Sequence, residues 1–372
     1  MSKMTMAAVA LSLLAIVPAA ARQASPPPPE ALDGVDVVVL LQQGKEVFGK
    51  SAFHSVHGGF DYLFSSAENK AQFDKAPDKY EIQLGGLCAR MGGMVTGNPS
   101  DYVVHDGKIY IFGSEQCHKL FVATPAKYLP RPAPPMPTSA AAANSGRALL
   151  DKAAAAHGGA RLDAVSSYAE SWTGTQQRQT GPVSIPNKMI WRFPGEARSE
   201  RTIPLAKGPM TFVTLLTPAG AWGGTATEMT APPPGVLPAV QRTFWRQLIP
   251  LLRVRRDAQV KAAALDPATV GGVQLDRVRV VNGHVDVTLN IERATGRVRS
   301  MSYVDRKGDG EIGDITIAFS DYKPVEGVLV PFAETGTFNG AANPTLTRQL
   351  DSATVNAPVD PQLFAPPAGA GK

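Results

Sequence analysis

The chain has 372 residues, 44% of them hydrophobic and 19% charged, with a formal net charge of +5. A length of this order suggests two domains at about 150 residues each, and the apolar share is enough to build real cores. The positive balance is small and lies mainly in the second half, so it gives no case for nucleic acid as a partner.

The first residues set an expected compartment. Lys3 precedes an apolar stretch over residues 6–17, Pro18 breaks it, and Ala19-Ala20-Ala21 offers small residues for cleavage. That order reads as a secretory signal peptide over 1–21, which predicts export to the bacterial periplasm. The apolar stretch falls short of the about 20 residues a membrane helix needs, and no later run reaches that length, so no transmembrane segment is expected in the mature chain. Residues 22–30, with four consecutive prolines, read as an extended tether.

Residues 31–129 contain a repeat. Tyr62, Phe64, Ser66, Phe73, Pro77 and Tyr80 recur as Tyr110, Phe112, Ser114, Phe121, Pro125 and Tyr128, each 48 residues further on without a gap. His57 and Gly59 match His105 and Gly107 in the same register. Such self-similarity means one supersecondary unit used twice. Each unit reads as a Gly turn, a strand with both rings on one face, and a short helix that Ser66 or Ser114 caps. Phe73 and Phe121 face inward from that helix, and Pro77 and Pro125 end it. The cysteines are not duplicated, since Asn69 stands where Cys117 stands in the second copy.

Residues 130–143 are Pro- and Ala-rich and read as a semi-rigid linker, because prolines at this density continue neither helix nor central strand. The second unit is expected over 144–364, with a frayed tail over 365–372. Asn144 or Ser145 is expected to cap a helix that Gly158-Gly159 stops after His157. Strand patterns follow near 167–177, 187–203, 209–217, 314–322, 328–338 and 346–355. Val285, Val287, Leu289 and Ile291 alternate with polar neighbours, and Asn282-Gly283 is a hairpin signal joining them to Arg277–Val281. Thr295-Gly296 turns into Val298–Val304. A helix over about 236–254 is expected to kink at Pro250. Asp305 to Asp314 has the outline of a calcium loop but places Lys307 and Thr316 where carboxylates belong, so it reads as a hairpin connection. The fold class is α+β: a small duplicated domain, then a curved antiparallel sheet covered by helices.

Two resemblances carry expectations. Tyr110-Ile-Phe112-Gly113-Ser114-Glu-Gln-Cys117, with Phe121, Pro125 and Tyr128, resembles the YHS domain, and Gly85-Gly86-Leu87-Cys88-Ala89 is similar to its exported bacterial branch. That resemblance implies metal binding through thiols, with Cys88 and Cys117 as candidate ligands; Gly113 replaces a third cysteine. Met91, Met94, His105 and His118 are further donors near in sequence, of which His118 completes the candidate set, and soft donors with imidazole favour copper or zinc. In an exported chain two cysteines usually oxidise to one bond, so a Cys88–Cys117 disulfide is the leading alternative, with two buried free thiols behind it. The second resemblance rests on Ala219-Gly-Ala-Trp222, Phe319-Ser-Asp-Tyr322, Gly327 to Phe332, Val355-Asn356 and Asp360-Pro-Gln-Leu363-Phe364. These look like the periplasmic lipoprotein-sorting carrier superfamily, which implies a half-barrel sheet holding an apolar ligand against helices.

No phosphate loop, nucleophile elbow or His-Glu-x-x-His motif is present in the sequence. The expected function is therefore non-enzymatic binding of an apolar small molecule or lipid in the second unit, with metal handling by the first as the alternative. Binding of a protein partner by the paired units is a third reading.

Overall fold

The computed structural model describes residues 27–93, 95–178 and 181–367. The expected signal peptide, most of the tether, Met94 and the end of the tail lie outside them. No helix among the described residues is long and apolar enough to cross a membrane.

The first part of the chain builds the repeat twice. Helix α1 (Val37–Gln43) precedes strands β1 (Lys50–His57) and β2 (Phe60–Phe64), then α2 (Ala67–Lys75) and the single turn α3 (Pro77–Tyr80). The second copy runs β3 (Asn98–His105), β4 (Lys108–Phe112) and α4 (Glu115–Ala123). Ser66 caps α2 through the Asn69 amide and Ser114 caps α4 through the Cys117 amide, as the repeat predicts. Phe73 and Phe121 are buried and pack against matched rings, Tyr62, Phe64 and Tyr80 in one copy, Tyr110, Phe112 and Tyr128 in the other.

Helix α5 (Ala140–Ala156) starts earlier than expected, with Ser139 as its cap rather than Asn144 or Ser145. The alanines that read as linker are good helix formers and simply extend it. The turn α6 (Ala160–Asp163) leads into β5 (Ser167–Arg178), β6 (Gly181–Arg192), β7 (Glu196–Leu205), β8 (Gly208–Thr217), β9 (Gly220–Thr225) and β10 (Met229–Thr230). The stretch read as one strand over 187–203 is two, parted at Phe193-Pro194-Gly195, because Pro194 offers no ladder donor. The expected long helix is also two: α7 (Leu237–Trp245) and α8 (Leu248–Arg253). The break lies at Arg246-Gln247, upstream of Pro250, since a proline ring clashes with the carbonyl four residues before it. Strands β11 (Lys261–Val270), β12 (Val273–Asn282), β13 (Val285–Glu292), β14 (Val298–Arg306), β15 (Ile312–Val325), β16 (Val328–Phe338), β17 (Ala341–Ala342) and β18 (Arg348–Val355) complete the chain.

The strands β5–β18 form one 14-stranded antiparallel sheet, ordered β10-β9-β8-β7-β6-β5-β18-β16-β15-β14-β13-β12-β11, with β17 on β16. The β12–β13 hairpin turns at Asn282-Gly283 as predicted. The sheet is thinnest at its middle, where β16 and β18 share two residue pairs, Ala333 with Gln349 and Glu334 with Arg348. Its concave face carries the main core, which α5, α7 and α8 cover. Helix α5 approaches β11 so closely that a Cβ on Gly146 would stand 2.6 Å from Ala263 backbone atoms. His157, fully buried at the end of α5, donates from Nδ1 to the Leu329 carbonyl at 2.8 Å and accepts the Val298 amide at Nε2. One side chain thus ties α5 to β14 and β16.

The two parts meet along the loop 84–93. Leu84 and Leu87 pack into the main core. A Cβ on Gly85 would lie 2.5 Å from Gly235 Cα, and Arg306 donates to the Arg90 carbonyl at 2.8 Å.

Candidate functional site

The concave face can be followed in rows across β8, β7, β6 and β5, because every second residue points to one side. The innermost row is Leu216, Ala197, Trp191 and Tyr168, all buried beneath the helices. The next is Thr214, Ser199, Met189 and Glu170, and the third is Phe212, Arg201, Asn187 and Trp172. Beyond it lie Met210 and Ile203, then Leu205 at the hairpin end. The helices cover the inner rows and leave the outer ones open.

Between α7–α8 and this face lies a cavity of about 1080 Å³. Met189, Leu248, Met301, Ile317, Phe319 and Leu346 supply apolar wall, and Arg201, Arg246, Glu334 and Arg348 are its charged lining. A pocket of this size holds a small organic molecule or a lipid chain.

Most of the charged groups are occupied by one another. Arg348 donates to both oxygens of Glu334 at 2.7 Å, to Glu170 at 2.8 Å and to Gln247 at 2.7 Å. Its guanidinium lies 4.7 Å from the Trp172 ring centre. Side-chain exposures of Glu170, Glu334 and Arg348 are 4, 12 and 14%. Burial raises the Glu170 carboxyl above its ordinary value, and the Glu334 charge adds to this while Arg348 opposes it. Tyr168, whose hydroxyl donates to Glu170 at 2.9 Å, is likewise raised by burial. Arg246 pairs with Asp305 at 2.6 Å and lies over Tyr303. The exposed Arg201 side chain makes no hydrogen bond or ion pair among the described residues.

A second cluster lies in the duplicated part. Cys88 and Cys117 are buried free thiols in a small core with Tyr110, Phe112, Phe121 and Tyr128. Burial alone would raise the Cys117 thiol, but hydrogen bonds with Ser114, Arg90 and Cys88 outweigh it and bring the group below its ordinary value. Arg90 Nη1 stands 3.8 Å from Cys117 Sγ, and its buried Nε has no hydrogen-bond partner. His118 is directed elsewhere: its ring stacks on Phe112 and Nδ1 pairs with Asp101 at 2.5 Å. Met91 packs at the edge of this core, and His105 sits edge-on to Phe121. Among the described residues, the group with all its ligand atoms within 4.8 Å of one another is His57, Asp78 and Glu81. Cys88, Cys117 and His118 do not form such a group.

The two copies show what stands at the places of the thiols in the first unit. Upstream of β1 and β3 the match resumes with an offset of 52. Leu32, Asp33 and Gly34 have positive φ, as do Leu84, Gly85 and Gly86. The Asp36 amide donates to the Val47 carbonyl and the Cys88 amide to the Val95 carbonyl. Cys88 therefore occupies the place of Asp36, and Cys117 that of Asn69. In the first copy Asp36 accepts from the Ser65 amide and hydroxyl and from Asn69, all at 2.7 Å, which holds its carboxyl low against the effect of burial. A carboxylate–amide pair in one copy is a dithiol in the other. The four residues missing from the second copy fall where α1 stands in the first.

A curved 14-stranded antiparallel sheet thus faces a cavity of mixed apolar and polar lining. The described fold is similar to solved structures of low sequence identity. A LolA-superfamily protein from Nitrosomonas europaea is 9% identical, with a TM-score of 0.40, covering 59% of this chain and 97% of the other. A DUF1329 family protein from Desulfovibrio piger is 9% identical at a TM-score of 0.39, and an outer membrane lipoprotein-sorting protein domain from Vibrio parahaemolyticus is 10% identical at 0.39. Each covers 60% of this chain and 97% of the other. No family model and no curated protein matches the sequence.

Proposed function

We propose that this chain is a non-enzymatic, periplasmic binding protein that takes a lipid-like ligand into the half-barrel cavity, with the duplicated unit as an accessory module. The observation that carries the reading is the cavity of about 1080 Å³ beneath α7–α8, walled by Met189, Leu248, Met301, Ile317 and Phe319. Export rests on the charge, apolar run and small-residue order of residues 1–21. Gentle purification followed by native mass spectrometry and organic extraction tests the reading, together with displacement of a fluorescent fatty-chain probe. Bound lipid and saturable displacement are expected, and Thr243→Trp, which fills the cavity from α7, is expected to abolish both. Absence of any bound lipid together with no probe binding overturns the proposal.

The dithiol supports a second reading, metal handling. Two buried free thiols in one small core, one held below its ordinary pKa, suit a thiophilic ion such as copper, or zinc with added ligands. Metal analysis of Cys88→Ser and Cys117→Ser proteins tests it; metal content equal to that of the parent chain in both variants removes this reading.

A further inference from the structure

The cavity wall contains an asymmetry of charge that bears on the ligand's chemistry. Of its four charged lining residues three are cationic, and the single carboxylate, Glu334, has both oxygens taken by Arg348. Four of the five N–H donors of Arg348 are taken by Glu334, Glu170 and Gln247. Arg246 is engaged by Asp305. A cationic head group entering this cavity would find no free carboxylate. An anionic one would find Arg201, which has no partner among the described residues.

The position of Arg201 adds to this. It stands in the third row, between Phe212 and Asn187 across the strands, and between Ser199 and Ile203 along its own face. The Asn187 amide nitrogen donates to the Ile185 carbonyl, and Arg201 is the one charged side chain of that row. Inward of it lie Ser199 and then the apolar residues beneath α7–α8, and outward of it Ile203 and the exposed Met210. A guanidinium with no internal partner keeps its paired N–H donors for an acid group that reaches it.

We infer that the ligand is an anionic amphiphile, with its acid group on Arg201 at the mouth and its chain running inward beneath α7–α8. This rests on the cavity being the binding site proposed above. A carboxylate and a phosphate share the needed chemistry, since guanidinium recognises either in bidentate fashion. The chain supplies most of the affinity and the acid group supplies orientation and selectivity.

The test compares hexadecanoic acid, hexadecyl phosphate and hexadecanol as competitors for a neutral fluorescent fatty-chain probe. Inorganic phosphate serves as a head group without a chain. Both acids are expected to compete about tenfold better than the alcohol, the effect of one charge-assisted contact at a half-open site. Arg201→Gln should remove that advantage and leave hexadecanol unchanged, and Arg201→Lys should keep part of it. Added salt should weaken the acids alone. The order of the two acids identifies the head group. Equal competition by acid and alcohol overturns the inference while leaving the cavity reading intact, as does an Arg201→Gln protein that keeps the preference. Phosphate competing as well as hexadecyl phosphate also overturns it, since the chain would then be outside the site. If neither probe nor any amphiphile binds, it is the cavity reading that has failed.

Discussion

Arg348→Met isolates a concentration of buried charge. The substitution keeps most of the side-chain length and removes four hydrogen bonds of 2.7–2.8 Å to Glu334, Glu170 and Gln247. It leaves two carboxyls, 4 and 12% exposed, without their shared cation. Breaking a buried pair from one side typically costs about 3–5 kcal/mol. The loss must depend on pH. A carboxyl whose folded pKa is raised adds stability below its unfolded value and loses it as pH rises through the folded one. Glu170 is already raised by burial with Arg348 present, and loss of the opposing cation raises it further. Urea unfolding at pH 8 and pH 5, followed by the fluorescence of Trp172 and the other tryptophans, is the assay. About 3–5 kcal/mol should be lost at pH 8 and less than half of that at pH 5. The variant Glu170→Gln/Glu334→Gln/Arg348→Met should recover much of the difference at pH 8. A loss below about 1 kcal/mol at pH 8, the range of an exposed pair, or an equal loss at both pH values, would refute the reasoning.

Other outcomes follow from single contacts. His157 has its pKa lowered from 6.5 to about 4, chiefly by burial, so stability present above pH 6.5 should fall away as pH drops toward 4. His157→Gln should flatten that limb in acid unfolding curves, and an NMR titration showing His157 charged at pH 6 would contradict the assignment. Alkylation with peptide-resolved mass spectrometry should modify Cys117 before Cys88, and Arg90→Met should shift the Cys117 rate profile to higher pH. Modification of Cys88 first would count against that order. Ser66→Ala and Ser114→Ala should each cost about 1 kcal/mol in urea unfolding; only the second should also slow Cys117 alkylation at neutral pH. Gly146→Val should lower the melting temperature by a clear margin, because its Cβ meets Ala263 backbone rather than a movable side chain.

The repeat was legible in the sequence because its determinants are local. A capping serine, a turn glycine and rings at fixed spacing each act within a few residues, and all recur. The match of Asp36 to Cys88 was hidden, since the loss of α1 changes the offset and an ungapped comparison sets Asp36 against Leu84. Alternation revealed β12, β13 and β14, whose branched residues face one core. It failed for β11, where Asp266-Pro267 interrupts the pattern; the ladder there skips from Leu265 to Ala268. The proposed site was the least visible part. Glu170, Glu334 and Arg348 come from three distant strands and meet only because β18 inserts between β5 and β16. His118 looked like a ligand because it follows Cys117, but on α4 the two adjacent side chains diverge, and His118 turns to Asp101.

The narrow junction between β16 and β18 has a mechanical consequence. Two residue pairs make a weak backbone seam, so the sheet is built as two stiff plates, β5–β10 with β18 on one side and β11–β17 on the other. Arg348 belongs to one plate and grips Glu170 on that plate and Glu334 on the other. The salt bridge is a rivet at the spine of a half-open book, and the cavity is the space between the covers. One arginine therefore joins the two plates through side-chain contacts where their backbone ladder is shortest.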